Sequence, residues 1–343
     1  MLVIEGRNVH ELLPEALHQL KSHGVERGSR NGPVIMFPYP TTIVYGAPTE
    51  RVMFWKERDA NPFFHFMECL WMISGRNDVK WIEPYAGALA RYSDDGIKFH
   101  GAYGHRWRKH FLKDQIFRAI DILSKDKDSR RVYIQMWDAR ADLDEEGKDF
   151  PCNVGLTLQI NQLGGLDMVV HNRSNDLIWG ALGANAVHFS FMQEYVASAL
   201  NIPIGLYWQV SSNLHAYKEV HAKVADLADE AEDTFRAYKN NPYMSGEVES
   251  FPIMTTPQAT WDQDLGIFMK EGPIVGFRDP FFRKVATPMW VAHKAYRDKT
   301  DPDRHLRAID IMQQCGASDW KKACIEWLER RFQSHVEKNK NED

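Results

Sequence analysis

Val154-Gly-Leu-Thr-Leu-Gln-Ile160 and Leu166-Asp-Met-Val-Val-His-Asn172, separated by a stretch containing Gly164-Gly165, set the frame of this chain. Val154, Leu156, Leu158 and Ile160 alternate with small or polar residues, the period of a half-buried strand. The second run has strand composition and ends polar, so the two read as a hairpin. Pro151-Cys152 stands just before the first strand and Arg173-Ser174-Asn175-Asp176 just after the second. A thiol, a guanidinium, a hydroxyl and a carboxylate at the ends of paired strands are expected to converge on one pocket, the candidate active site.

The 343 residues suffice for one large domain or two ordinary ones, and 44% hydrophobic with 26% charged residues is the composition of a globular protein. A net charge of −5 gives no general footprint for nucleic acid, so a bound phosphate must be met by local arginines. No apolar run approaches the ~20 residues of a membrane span, and Met1 to Arg7 lacks a signal-peptide layout. Cys69, Cys152, Cys315 and Cys324 show no CxxC spacing, so free thiols in the cytoplasm are expected. The 11 Trp, 12 Tyr and 18 Phe suit either a deep pocket for flat rings or simply a large core.

Around the hairpin, residues 9–24 read as an amphipathic helix with Leu12, Leu13, Ala16, Leu17 and Leu20 on one face. Ser29-Arg30-Asn31-Gly32-Pro33 is a turn carrying an arginine, and strand-like pieces broken by prolines occupy 34–52. Residues 61–75 form an apolar helix with Asn61 as cap, Pro62 at its first position and Gly75 as stop. Glu68 lies in its middle, where a carboxylate is costly unless paired or used; a structural role and a general acid/base role are both open. Residues 110–124 look helical. Asp128-Ser-Arg130-Arg131 precedes a strand over 132–137, and twin arginines suit a surface pair or a bidentate phosphate contact. Residues 138–149 form an acidic loop. Trp179-Gly-Ala-Leu-Gly-Ala-Asn185 is a glycine-punctuated turn, followed by a helix to Leu200 whose stripe Phe189, Met192, Val196 and Leu200 is core. Residues 206–212 make a strand. In Asn213-Leu-His215-Ala-Tyr217, His215 and Tyr217 share one side of an extended segment. A charged helix covers 218–240, and 283–297 and 303–340 look helical. No metal-ligand spacing occurs, so no metal is expected.

In this order, the pieces resemble the thymidylate synthase family, which includes the pyrimidine nucleotide hydroxymethylases, over roughly residues 12–221. Glu68-Cys-Leu-Trp71 followed by Gly75 resembles the helix whose Glu runs the family's proton network. Tyr103-Gly-x-x-Trp107-Arg108, Pro151-Cys152 and Arg173-Ser174-x-Asp176 with Gly180 are similar to its other signatures. The resemblance implies an α/β (α+β) fold, a mixed sheet flanked by helices, in residues 1–278, with 279–343 a helical extension. It implies Cys152 as nucleophile, with Glu68, Tyr103 and Asp176 as further catalytic residues. It implies Arg30, Arg173 and Ser174 as phosphate ligands, joined by Arg130 and Arg131 from the partner subunit of a homodimer. His215 and Tyr217 would hold the sugar hydroxyl, and Asp176 with Trp179 the folate. The co-substrate implied is 5,10-methylenetetrahydrofolate and the substrate a pyrimidine nucleoside monophosphate, dUMP or dCMP. The chemistry calls for these residue types independently. A thiolate adding to C6 makes C5 an enolate-like carbon able to attack a one-carbon iminium, and nearby arginines are expected to lower the thiol's pKa.

Four departures from the family pattern point to 5-hydroxymethylation rather than methylation. Asn153 replaces the usual His after the nucleophile. The Trp that shields the intermediate is missing, its place falling near Leu89 or Ala90 with Tyr92 nearby, which should admit water. The closing tail is replaced by helical sequence ending in Asp343. The spelling Arg-Ser-Asn-Asp resembles the phage deoxycytidylate hydroxymethylases. The base-reading Asn of the family falls on Ala184 by strict spacing, or on Asn185 with one inserted residue, and no Asp of the cytosine-reading kind occupies that turn. The competing expectations are a thymidylate synthase making dTMP by reductive methylation of dUMP, and a non-catalytic nucleotide or RNA binder.

Overall fold

A computed structural model of the protein describes residues 1–144, 146–232 and 240–342, with side chains to residue 337. Its larger sheet runs β1 (Leu2–Gly6), β4 (Thr41–Tyr45), β9 (Ile204–Ser211), β7 (Leu166–Asn172), β6 (Asn153–Ile160), β5 (Tyr133–Gln135). The β1–β4 and β9–β7 pairs are parallel and the others antiparallel, a mixed sheet. The β6–β7 hairpin is as read from the sequence. Ile160 pairs with Leu166 and Leu156 with Val170. Gly164 turns the chain at φ +82°, a left-handed conformation open to glycine.

A second sheet was not anticipated. It orders β2 (Val25–Arg27), β3 (Val34–Met36), β10 (Leu214–Tyr217) and β8 (Asn175–Asp176). Its strands are two to four residues long, too short for periodicity to register. The β1 strand, an edge strand beginning at Leu2, was also unread. The expected strand over 132–137 forms a regular ladder from Tyr133 to Gln135, and Val132, Met136 and Trp137 add backbone hydrogen bonds to β6 at its ends. The Tyr133 ring lies over Gly155 opposite it, where a Cβ would come within 2.0 Å of the hydroxyl and displace that exposed side chain.

The helices flank the larger sheet. Helix α1 (Val9–His23) starts on Asn8, whose side chain accepts from the Glu11 amide. Helix α2 (Pro62–Ile73) is capped by Asn61 and stopped before Gly75 at φ +72°, as read. Helix α3 begins only at Gln115 (Gln115–Lys125), five residues later than read, because Leu112 turns left-handed at φ 59° and Asp114 caps the helix after it. The turn read over Trp179–Asn185 is instead part of a wide π-helical segment, Leu177–Ala184, broken at Leu182 and Gly183, which runs into α4 (Asn185–Leu200). The charged helix read over 218–240 ends at Val224 and tightens into a 3-10 helix over Ala225–Glu232; residues 233–239 and Asp343 lie outside the described residues.

The later helices are α5 (Gln258–Glu271), α6 (Thr287–Arg297), α7 (Arg304–Gln313) and α8 (Ser318–Glu342). The continuous helix read over 303–340 is interrupted where Gly316 donates its amide to the Lys284 carbonyl. These helices close over α2: Phe66 packs edge-on to Trp320 at 5.3 Å and Phe63 to Trp327 at 5.7 Å. Eleven of the twelve α2 side chains are buried, so α2 is the helix the core is built around, and Glu68 sits within it.

Candidate active site

A cavity of about 870 Å³ opens where the end of the β6–β7 hairpin meets the small sheet. Register explains how the sheet furnishes its wall. On β10, His215 pairs with Asp176 on one side and Met36 on the other, and Tyr217 pairs with Val34, which in turn pairs with Arg27. Alternation puts all six side chains on the cavity face. The rings of His215 and Tyr217 meet edge-on at 5.5 Å, and His215 Nδ1 lies 2.9 Å from Asn213 Oδ1.

Cys152 enters from the other side. The Arg173 amide donates to the Cys152 carbonyl at 3.0 Å, extending the hairpin ladder by one rung. Arg173 Nε donates to the Pro151 carbonyl at 3.0 Å and Nη2 stands 4.0 Å from Cys152 Sγ. The Trp137 ring lies beneath the guanidinium at 5.3 Å. The expected lowering of the thiol's pKa is reversed. Burial pushes the Cys152 thiol up, Arg173 draws it down, Asp149 pushes it up again and Arg30 draws it down, leaving a net rise. Desolvation of the thiolate outweighs the two arginines.

Asp176 caps the π-helical segment through the amides of Ile178 and Trp179, while its Oδ2 is buried without a hydrogen-bond partner among the described residues. Burial pushes its carboxyl up against the pull of those amides, His215 and Arg58. His215 is held below the usual imidazole range by burial, with Asp176 opposing. Burial also raises the Tyr103 hydroxyl far above its ordinary value, although the backbone amides of Cys152 and Asn153 reach it. The wall therefore offers donors and acceptors whose neutral forms are favoured, the condition for moving protons without a large local charge.

Nine of the residues singled out in the sequence line this cavity: Arg30, Tyr103, Cys152, Arg173, Ser174, Asp176, Trp179, His215 and Tyr217. Four do not. Glu68 is paired with His188 between α2 and α4. Asn185 donates Nδ2 to Asn175 Oδ1 at 3.1 Å. Arg130 and Arg131 are exposed on the approach to β5. Asp149 and Lys148, which the sequence showed only as the end of an acidic loop, also line the cavity. Arg30 holds that loop by donating to the Gly147 and Lys148 carbonyls, each at 3.3 Å. Their one signal was position, just ahead of Pro151-Cys152. Among the described residues no group of three or more His, Cys, Asp or Glu is placed to hold a metal ion.

A nucleophilic thiol beside an arginine, facing a carboxylate–imidazole–phenol wall, defines a class of covalent enzyme. The comparisons with known proteins specify it. The family model described as thymidylate synthase matches residues 15–262. A deoxyuridylate hydroxymethyltransferase of Pseudomonas phage M6 is 54% identical over 96% of this chain and 95% of its own length. One of Bacillus phage SP01 is 35% identical over 54% of this chain and 52% of its own length. Thymidylate synthase from T4 phage shares the fold at a TM-score of 0.51 and 19% identity, over 62% of this chain and 79% of that one. The chain belongs to the thymidylate synthase family and is a transferase of one-carbon groups.

Proposed function

We propose that this enzyme hydroxymethylates dUMP at C5, with 5,10-methylenetetrahydrofolate as the one-carbon donor. The observation that carries the reading is the convergence of Cys152 and Arg173 with Asp176, His215 and Tyr217 in one cavity. In this reading Cys152 adds to C6, Arg30, Arg173 and Ser174 take the phosphate, and His215 and Tyr217 take the sugar hydroxyl. Asp176 and Trp179 meet the folate, and Glu68 and Tyr103 serve proton transfer. Arg130 and Arg131 reach the phosphate bound by the partner subunit of a homodimer. Residues 1–278 form the catalytic unit, 279–343 a helical extension seated on α2, and the enzyme works in the cytoplasm.

Two features support uracil and water over the alternatives. The segment at 177–184 departs from regular helix at Leu182 and Gly183, and this irregularity favours Asn185, one position beyond strict spacing, over Ala184 as the base reader. An Asn amide accepts from N3–H and donates to O4 of uracil. The segment at Leu89, Ala90 and Tyr92 carries no Trp to shield the intermediate. The phage M6 relative, aligned over nearly the whole chain, bears the name of a deoxyuridylate hydroxymethyltransferase. The test is product mass after incubation with dUMP or dCMP and methylenetetrahydrofolate. The expected product is hydroxymethyl-dUMP without dihydrofolate; a methylated product with stoichiometric dihydrofolate overturns it.

A further inference from the structure

Glu68 and His188 face each other across the α2–α4 contact. His188 Nε2 lies 2.9 Å from Glu68 Oε2, and the two side chains are 2% and 12% exposed. Glu68 Oε2 and both ring nitrogens of His188 are buried without a hydrogen-bond partner among the described residues, so the 2.9 Å approach is a close contact of two unsatisfied polar groups rather than an aligned hydrogen bond. Met67 and Leu70 on α2 and Phe189 and Met192 on α4, neighbours of the pair in sequence, are fully buried. A pair of this kind adds little to stability compared with hydrophobic residues of the same size. Its isolation in the core calls for a use.

We infer that His188 is a positioning residue that holds the carboxylate of Glu68 in place for the proton transfers of the reaction. The inference rests on the proposed hydroxymethylation. In that reaction the C5 hydrogen leaves as a proton, and its electron pair forms the exocyclic double bond as the folate nitrogen departs. Water then adds to the methylene carbon and yields a proton. The alkene pair moves to the ring carbonyl oxygen and returns to expel the Cys152 thiolate. Both protons need a carboxylate that is fixed and can be reset.

The fold connects the pair to the reacting thiol. Phe189, next to His188 on α4, packs at 6.0 Å from Tyr103, whose hydroxyl is reached by the Cys152 and Asn153 amides. The other ionisable groups around the pair are accounted for. His65, one turn before Glu68, is kept neutral by burial, with Arg58 and His188 adding to the effect. Further along α4, Glu194 is committed to Arg51, and the Cys69 thiol beside Glu68 is pushed far up by burial. That leaves His188 as the partner in contact with the Glu68 carboxylate.

The test uses release of tritium from 5-tritiated dUMP, a step that both methyl and hydroxymethyl products require. Product mass from the wild type judges the hydroxymethyl reading separately. In His188→Gln, kcat for tritium release should fall on the order of 10- to 100-fold with KM for dUMP unchanged. Folate-independent debromination of 5-bromo-dUMP with added dithiothreitol should persist: Cys152 adds to C6, C5 takes a proton, the dithiol removes the bromine and ends as its disulfide with bromide released, and Cys152 is expelled. The double variant Glu68→Gln/His188→Gln should be no slower than Glu68→Gln alone. His188→Phe controls for packing. Wild-type kcat in either His188 variant, a rise in KM for dUMP that accounts for the loss, or multiplicative losses in the double variant would overturn the inference.

Discussion

Arg173 stands directly across the hairpin end from Cys152, joined to it by a backbone hydrogen bond of 3.0 Å and with Nη2 4.0 Å from Sγ. Two opposed influences thus act on one sulfur, since burial and Asp149 raise the thiol's pKa while Arg173 and Arg30 lower it. At pH 8, Arg173→Gln should slow iodoacetamide alkylation of Cys152 by roughly 3- to 10-fold, and Asp149→Asn should speed it, because the thiolate is the reacting form. Cys69, Cys315 and Cys324 are buried, so alkylation of the native protein reports Cys152. Equal rates in wild type and both variants would show that neither charge reaches the sulfur.

The same hairpin shows what was legible in the sequence. Strict alternation over the seven residues Val154–Ile160 fixed β6 and, with it, the relation of Cys152 to Arg173. Helix α2 was equally plain, because a cap, a proline and a stop glycine bracket one apolar run. The small sheet was not legible. Its strands are two to four residues long and their partners lie far apart in sequence, so only the pairing of His215 with Asp176 and Met36 reveals a wall. His188 was hidden for the opposite reason. It sits in a helix whose core stripe was read correctly, and nothing local marks one polar side chain as Glu68's partner.

Gly104, the glycine of Tyr103-Gly-x-x-Trp107-Arg108, owes its place to α2. A Cβ there would lie 2.0 Å from the Met72 carbonyl oxygen and 2.4 Å from its Cα, backbone atoms that cannot yield without moving the helix. Gly104→Ala should therefore destabilise the protein by about 3 kcal/mol or more, at the upper end of overpacking costs. Urea unfolding measures it; a loss below about 1 kcal/mol would mean that α2 shifts freely.

Asp319, at the start of α8, is almost fully buried and accepts from the Tyr243 hydroxyl at 2.9 Å. Burial pushes its carboxyl up from 3.8 to about 7. The folded state therefore holds this proton more tightly than the unfolded chain. The sign follows from linkage: the carboxyl costs nothing below pH 4 and costs progressively more as pH rises towards 7. Asp319→Asn should gain stability relative to wild type between pH 4 and 8, by at most on the order of 4 kcal/mol. Denaturation curves at pH 5 and pH 8 supply the difference, and parallel pH dependence of the two proteins would refute it.

Arg130 and Arg131 are exposed and do not line the cavity of their own chain, whereas Arg30 and Arg173 do. If they serve the partner's phosphate, a chain lacking them remains a good host for a site completed by its partner. Arg130→Ala/Arg131→Ala and Cys152→Ala should each be inactive alone. Dissociated and reassociated as an equal mixture, they should recover about a quarter of wild-type activity, because half the dimers are mixed and each mixed dimer carries one intact site. Recovery is read as tritium release from 5-tritiated dUMP. The Cys152→Ala subunit brings the arginines and its partner brings the thiol, so no recovery from a mixture proven to contain mixed dimers would place the two arginines outside the reaction.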